Sequence, residues 1–381
     1  MKNKVTLLFV LILLASCTRQ YDAKITISGF DETILKNGEN INFTSFDIVP
    51  LELCSESAIS VIKRVEIVDS IIIIQSASKL LAFSLKGEYK FSYGREGRAS
   101  NEYINLSSFV VNAKNKCIDI VDDFSGKIIT FTLKGEFVKT TQYQGDVIPK
   151  WTNSGVFIND TQILFSNMIY NDINTIYTIF DTQTKEKVDV CKLPVKTKGT
   201  AQSIGRSISI SPSGNTNLLI PFENSIYSLN GDKLIRDIAI ETNKPIVGKS
   251  TMESIDDFGI FAYADLMEKG YFIGFTGIFE TSNHIILNQF NLNYFLIDKK
   301  SNTGKLYTYN FDESILSIPL LYVVSSHKDK LVGVCTPMDL LLNIKNKIPN
   351  NSNDVNIQKL ENCLHSITFD SNPVLFFYSI Q

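Results

Sequence analysis

Ser84-Leu85-Lys86-Gly87-Glu88-Tyr89 returns later in the chain as Thr132-Leu133-Lys134-Gly135-Glu136-Phe137, and the step from Leu85 to Leu133 is 48 residues. Each copy joins two strand-like runs through a glycine, which takes the positive φ of a tight two-residue hairpin without steric cost. Weaker copies keep the spacing. Phe180, before Asp181-Thr182, lies 47 residues beyond Leu133, and Leu229, before Asn230-Gly231, lies 49 beyond Phe180. Ile297, before Asp298-Lys299, lies 68 beyond Leu229, so an insertion separates them. A period near 48 residues holding about four short strands is the unit of a β-propeller blade. The period is too long for a β-helix coil, and a β-sandwich has no such repeat.

Around these hairpins, short runs rich in Ile, Val, Phe, Tyr and Thr alternate with Asn, Asp, Gly, Ser and Lys turns. Ile71-Ile72-Ile73-Ile74 and Tyr294-Phe295-Leu296-Ile297 are examples of this many-stranded pattern. With strands lettered a to d from the central channel outward, each hairpin is a c-to-d turn. A sixth blade assembles from Leu320 to Val324 as strand a, Lys330 to Cys335 as b and Pro373 to Ile380 as c. Its outer strand comes from the N-terminal run Ile41 to Leu53, and this closure removes the edge an open ring would expose. The sequence thus predicts an all-β fold, a six-bladed β-propeller over residues 41–381 closed by an N-terminal strand. Helical spacing is scarce before Pro337. From there Met338, Leu341 and Leu342, then Ile357, Leu360, Leu364 and Ile367, predict two short amphipathic helices inserted in the last blade.

The 381 residues are 44% hydrophobic and 20% charged with a net charge of -3, enough apolar material for a core and no basic field for nucleic acid. Lys2 and Lys4 precede the apolar run Val5 to Leu14, which is too short to span a bilayer and fits an export signal. The run ends in Leu14-Ala15-Ser16-Cys17, which resembles the lipobox of bacterial lipoproteins. That resemblance implies a signal peptide over 1–17, diacylglycerol on Cys17 and the membrane as a partner. Residues 18–40 read as a tether with a first edge element. The remaining cysteines, Cys54, Cys117, Cys191, Cys335 and Cys363, are odd in number and lack a CxxC pair. They read as small buried hydrophobes, with a Cys335–Cys363 disulfide left open. No metal site and no cofactor are expected.

The lipobox, the Leu-Lys-Gly-Glu hairpins, the loop Gly94-Arg95-Glu96-Gly97-Arg98-Ala99-Ser100-Asn101-Glu102-Tyr103 and the final Asn372-Pro373-Val374-Leu375 together resemble the six-bladed β-propeller lipoproteins of Bacteroidota, which are similar to NHL-repeat propellers. In that family the loop runs into Gly-Pro-Gly-Glu-Tyr. Here the arginines, the second glycine and Glu102-Tyr103 match, while Ala99, Ser100 and Asn101 depart from it. The resemblance covers nearly the whole mature chain and implies fold and location. It carries no catalytic motif.

Chemistry-bearing constellations are few. His284, His327 and His365 form no HExxH and no i, i+4 pair, no serine sits in a GxSxG elbow, and Gly94-Arg95-Glu96-Gly97 lacks the spacing of a phosphate loop. Asp122-Asp123 and Asp256-Asp257 are adjacent carboxylates; the first pair also reads as an ordinary b-to-c turn. Strand parity says more. The b-to-c turns and d-to-a links share one face, and every long segment falls there: the Arg95 loop, the Gln144 to Asn153 link, the Pro194 to Gly205 link, the Glu241 to Gly270 insertion and the helices after Pro337. Binding residues of rigid scaffolds collect on such loops. The candidates for ligand contact are Arg95, Arg98, Glu102, Tyr103, Asp122, Asp123 and Trp151. The two arginines can fork onto a carboxylate or a glycan acid, or pair with Glu96, Glu102 and the aspartates to pin blade to blade.

The expected function is a non-catalytic binding or scaffold module of the cell envelope, engaging a protein or glycan. The alternative is an exported hydrolase or lyase, which needs carboxylates or histidines converging at the channel mouth. A purely structural lipoprotein is the third reading. No acidic run follows Cys17, which points to the periplasmic face of the outer membrane, and a closed ring is expected to be a monomer.

Overall fold

The computed structural model describes residues 23–31, 43–143, 148–149, 152–167, 169–170, 174–195, 200–201, 206–255, 260–291, 293–307, 323–345, 348 and 353–380. Six four-stranded antiparallel blades follow one another around a ring. Blade 1 is Ile62–Val68, Ile71–Ser76, Lys79–Ser84 and Tyr89–Ser92, and blade 2 is Ser108–Asn112, Cys117–Asp122, Lys127–Thr132 and Phe137–Gln142. Blade 3 is Thr152–Phe157, Gln162–Asn167, Thr175–Asp181 and Lys187–Lys192. Blade 4 is Ile208–Ile210, Thr216–Leu219, Ser225–Asn230 and Lys233–Thr242, and blade 5 is Gly277–Glu280, His284–Asn288, Tyr294–Asp298 and Thr303–Tyr307. Strands b and c read as continuous apolar runs because both of their faces pack on neighbouring blades; Ile72, Ile73 and Ile74 have no solvent exposure. Outer strands such as Phe137–Gln142 are mostly exposed and accordingly polar.

All five repeated hairpins are c-to-d turns. The first is one residue longer than the sequence pattern implied. Ser84 N–H donates to Glu88 O at 2.8 Å and Gly87 N–H to Ser84 O at 2.9 Å, with Gly87 at φ +87. This is a three-residue loop whose last position is left-handed. The glycine has a second reason to recur. A Cβ on Gly87 would lie 2.1 Å from Pro50 O, and one on Gly135 2.6 Å from Phe91, so each turn nests against the outer strand of the preceding blade.

Blade 6 closes the ring with both ends of the chain. Its strands are Val323–His327, Lys330–Cys335, Val374–Ile380 and, outermost, β2 (Phe43–Pro50), which pairs Phe46 with Tyr378 and Val49 with Leu375. Strand a is described from Val323, and Leu320 to Tyr322, where the sequence places its start, lie outside the described residues. Buried Asn372 staples the seam: its amide donates to Glu52 O at 2.8 Å and Ser57 O at 2.9 Å and accepts from Ile59 N–H at 2.9 Å. Between strands b and c lie the expected helical segments, Pro337–Asp339 continuing as a π-turn over Leu340–Ile344, then Val355–Ser366. Thr336 caps the first and Asp354 the second. Cys335 and Cys363 are buried thiols in the same apolar cluster.

Two features depart from the sequence reading. The insertion after blade 4 contains two helices, α1 (Lys249–Glu253) and α2 (Ile260–Glu268). Their apolar side chains are too few, and α2 too evenly apolar, to display a helical period. Tertiary contacts decide instead: Tyr263 stacks between Phe222 at 5.2 Å and Phe290 at 5.7 Å. The second is the seat of the edge element expected within residues 18–40: it is β1 (Ile25–Phe30), a fifth strand running parallel to Lys233–Thr242 on the outside of blade 4 and so part of the propeller. Ile27 and Phe30 are buried between blades 4 and 5, Phe30 edge-on to Phe272 at 5.2 Å and Phe295 at 5.4 Å. Each such side chain contributes roughly 1.5–3 kcal/mol when fully buried.

Strand parity holds around the ring. Every a-to-b and c-to-d turn within a blade has five residues or fewer, and the long links and helices share the opposite face. A two-stranded sheet of Ile169–Tyr170 with Thr200–Ala201 ties two of those long segments together.

Candidate functional site

The loop after blade 1 is held by its own polar groups. Tyr103 N–H donates to Arg95 O at 3.0 Å, Gly97 N–H to Tyr103 O at 2.9 Å, and the Tyr103 hydroxyl to Ser78 O at 2.7 Å, pinning the loop to a b-to-c turn. Burial pushes the Tyr103 phenol up to about 12. Glu102 accepts the Ala99 N–H at 2.8 Å and meets Arg95 Nε at 2.7 Å; those two contacts, the backbone donor first, hold its carboxyl below the ordinary range. Buried Asp122 accepts from Ile104 N–H at 2.7 Å and Ser125 N–H at 3.0 Å, and Asp123 from Ser107 Oγ and from Asn105 Nδ2 at 3.1 Å. Arg95, Glu102, Tyr103, Asp122 and Asp123 thus belong to one stitched patch, on which Arg95 and Arg98 are exposed. Trp151, Cys17 and the Asp256-Asp257 pair lie outside the described residues.

A second cluster occupies the propeller axis. Arg64 and Glu66 alternate on the innermost strand of blade 1, and Arg206 precedes the innermost strand of blade 4, directly across the ring. The Arg64 guanidinium donates to Phe109 O of blade 2 at 2.7 Å and Gly155 O of blade 3 at 3.1 Å, and its Nε and Nη2 reach Glu66 Oε1 at 3.0 and 2.8 Å. It also lies over the Phe109 ring, 4.6 Å from the centroid. Arg206 Nη2 donates to Glu66 Oε2 at 3.4 Å, while its Nη1 lies 3.0 Å from Oε1 as an ion pair without the alignment of a hydrogen bond. Burial by itself would raise the Glu66 carboxyl, but attraction to Arg206 and then Arg64 outweighs it and holds the group below its ordinary value. Guanidinium groups stay protonated at any working pH, so two cations share one anion and the cluster carries a net positive charge.

The two arginines border a cavity of about 290 Å³ to which every blade contributes, through Arg64, Ser107, Ser154, Arg206, Thr276 and Val324. The lining comes from the starts of the a strands, where the d-to-a links enter, so the cavity belongs to the long-loop face. Ser154 Oγ, Asn288 Oδ1 and Arg206 Nη1 are buried around it without a hydrogen-bond partner among the described residues. Buried donors and acceptors call for a polar occupant. The sequence carried one hint of this site: Arg64-Val65-Glu66 puts opposite charges two apart on a strand that should be innermost.

Fold and cavity define the class, a six-bladed β-propeller with a polar, net-positive axial site. The chain belongs to the family of the domain of unknown function DUF4934, whose profile matches residues 29–379. Among solved structures it is similar to a Bacteroides fragilis protein described as exported, at 16% identity and a TM-score of 0.70, covering 94% of this chain and 99% of that one. It is also similar to a member of the DUF4221 family from Bacteroides vulgatus, at 10% identity and a TM-score of 0.54, covering 90% and 98%. At such identities the likeness is one of fold. No curated protein matches the chain.

Proposed function

We propose that this protein is an exported, lipid-anchored propeller of the cell envelope, NHL-like in its blades, that works as a binding module and holds an acidic group of a glycan or protein ligand at its axial cavity. The carrying observation is the convergence of Arg64 and Arg206 on the single carboxylate of Glu66, beside a cavity built by all six blades and edged by unmet polar atoms. Arg206 is the natural contact for an incoming carboxylate, because its Nη1 lacks an aligned acceptor. Arg95 and Arg98, exposed on the same face, supply further contacts, while Glu102, Tyr103, Asp122 and Asp123 hold their loop in place. Binding is preferred to hydrolysis or elimination because the described lining gathers the cations Lys63, Arg64 and Arg206 and no carboxylate, Glu66 lying behind the two guanidiniums, where those reactions need paired acids or bases. Export and anchoring rest on the signal segment and Cys17, and the exported Bacteroides fragilis neighbour is consistent with export. We place the protein at the outer membrane, facing the periplasm, as a monomer.

The test is binding of the soluble domain, lacking Cys17, to uronate-containing oligosaccharides and to their carboxyl-reduced forms. Saturable binding to the acidic forms, weakened at least tenfold by Arg206→Ala, supports the reading. Equal binding to both forms, or no effect of Arg206→Ala, overturns it.

A further inference from the structure

The axial cavity has a closed end. Glu66 lies two positions beyond Arg64 on the strand Ile62–Val68, and so about 7 Å further from the long-loop face. Arg64 reaches the backbone of blades 2 and 3 through Phe109 O and Gly155 O, and Arg206 crosses from blade 4 to Glu66. This bridge spans the axis, so a chain cannot thread past it and a ligand enters only from the long-loop face. The space above the bridge is about 290 Å³, at the small end of ligand pockets. It has room for one sugar ring and not for a run of them.

The walls ask for both kinds of hydrogen-bond partner. Among the described residues Arg206 Nη1 is a donor without an aligned acceptor, Asn288 Oδ1 an acceptor without a donor, and Ser154 Oγ can serve as either. The three come from blades 4, 5 and 3, and all border the cavity. Asn288 is held in this sense by its Nδ2, which donates to Val323 O at 3.4 Å. A carboxylate alone brings only acceptors, and a peptide end adds a single N–H beside it. A sugar acid carries several hydroxyls, each donor and acceptor, on the ring that bears the carboxylate, and so can meet all three sites at once.

We propose that the cavity takes the terminal ring of an acidic glycan end-on, its carboxylate on Arg206, one hydroxyl donating to Asn288 Oδ1 and another meeting Ser154 Oγ. This rests on the reading that the cavity holds an acidic group, and adds that the group belongs to a sugar at a chain end. An interior uronate, substituted on both sides, has no exit for its second neighbour.

The experiment titrates the full mature protein, in a detergent without sugar headgroups, with three trisaccharides in a calorimeter. One carries glucuronate at the non-reducing end, one carries it between two glucoses, and one is glucose alone. The terminal form is expected to bind at least tenfold tighter than the interior form. Equal affinity for the two acidic forms, both above the neutral one, overturns end-on entry and leaves the acidic-group reading standing. No preference of either acidic form over the neutral one overturns both. Tighter binding of triglycine than of the terminal form assigns the cavity to a peptide end and overturns the sugar. Asn288→Asp, which sets an anion in the wall, should weaken binding of the terminal form at least tenfold. Ser154→Ala, which removes one hydroxyl, should weaken it roughly three- to tenfold and serves where the aspartate variant does not fold. Unchanged affinity in a variant with wild-type melting puts the ring elsewhere and overturns the assignment.

Discussion

Arg206 of blade 4 and Glu66 of blade 1 meet at 3.0 Å across the central channel, tying opposite sides of the ring. Arg64 extends the tie to the backbone of blades 2 and 3 through Phe109 O and Gly155 O. Glu66 is thus the shared anion of four blades, and removing it leaves two buried guanidiniums without a counter-charge. Glu66→Ala should lower the free energy of unfolding by about 3–5 kcal/mol, read from urea denaturation. A loss below ~1 kcal/mol would mean that solvent in the channel already screens the cluster.

The same pair sets a pH dependence. The folded Glu66 carboxyl sits below its ordinary value of 4.5, because the two guanidiniums outweigh the opposing effect of burial. Its ionised form therefore adds stability above that ordinary value, and the contribution is lost as pH falls through the folded value. Glu66→Gln should lower Tm at neutral pH and flatten the Tm curve below about pH 5, with thermal melts in a pH series as the measurement.

Asp119 should behave in the opposite sense. It lies within blade 2, accepts a hydrogen bond from Thr130 Oγ1 at 2.6 Å, and burial raises its carboxyl above the ordinary value. Its ionisation then opposes folding: its contribution is best below the unfolded value and is lost as pH rises through the folded one. Asp119→Asn, which keeps an acceptor for Thr130, should raise Tm at pH 7 and leave it unchanged near pH 3.

The seam of blade 6 has a single-residue test. Asn372 makes three hydrogen bonds to the backbone of Glu52, Ser57 and Ile59. Asn372→Ala should cost roughly 2 kcal/mol or more, since buried backbone groups lose their partners. A chain beginning at Ser57 lacks β2 as well, exposes the edge of Val374–Ile380, and should aggregate in light scattering.

The Arg95 loop is expected to act on affinity and not on stability. Arg95 is 82% exposed at its side chain, so its pair with Glu102 is strongly screened. Changing Arg95 and Arg98 together to alanine should leave Tm within a couple of degrees and weaken binding of an acidic ligand only a few-fold, against the tenfold or greater loss for Arg206→Ala. A large fall in Tm would make the loop a structural clasp.

The blade count, the c-to-d hairpins, the closure by both chain ends and the division into a short-turn and a long-loop face were all legible in the sequence. They depend on local signals, glycine turns and two-residue strand alternation, repeated at a near-constant spacing. Only the tertiary structure decided the rest. Arg64 and Arg206 lie far apart in the chain and meet because the ring closes, which no local pattern records. Asp122, a conspicuous acid in the sequence, proves to be engaged with the backbone N–H groups of Ile104 and Ser125. α1 and α2 form because Tyr263 and its neighbours find an aromatic surface that distant strands assemble. β1 gains its place in the same way: an edge element between residues 18 and 40 was legible, but not its seat in the groove that blades 4 and 5 make together, where Gly29 and Gly304 let the two backbones touch.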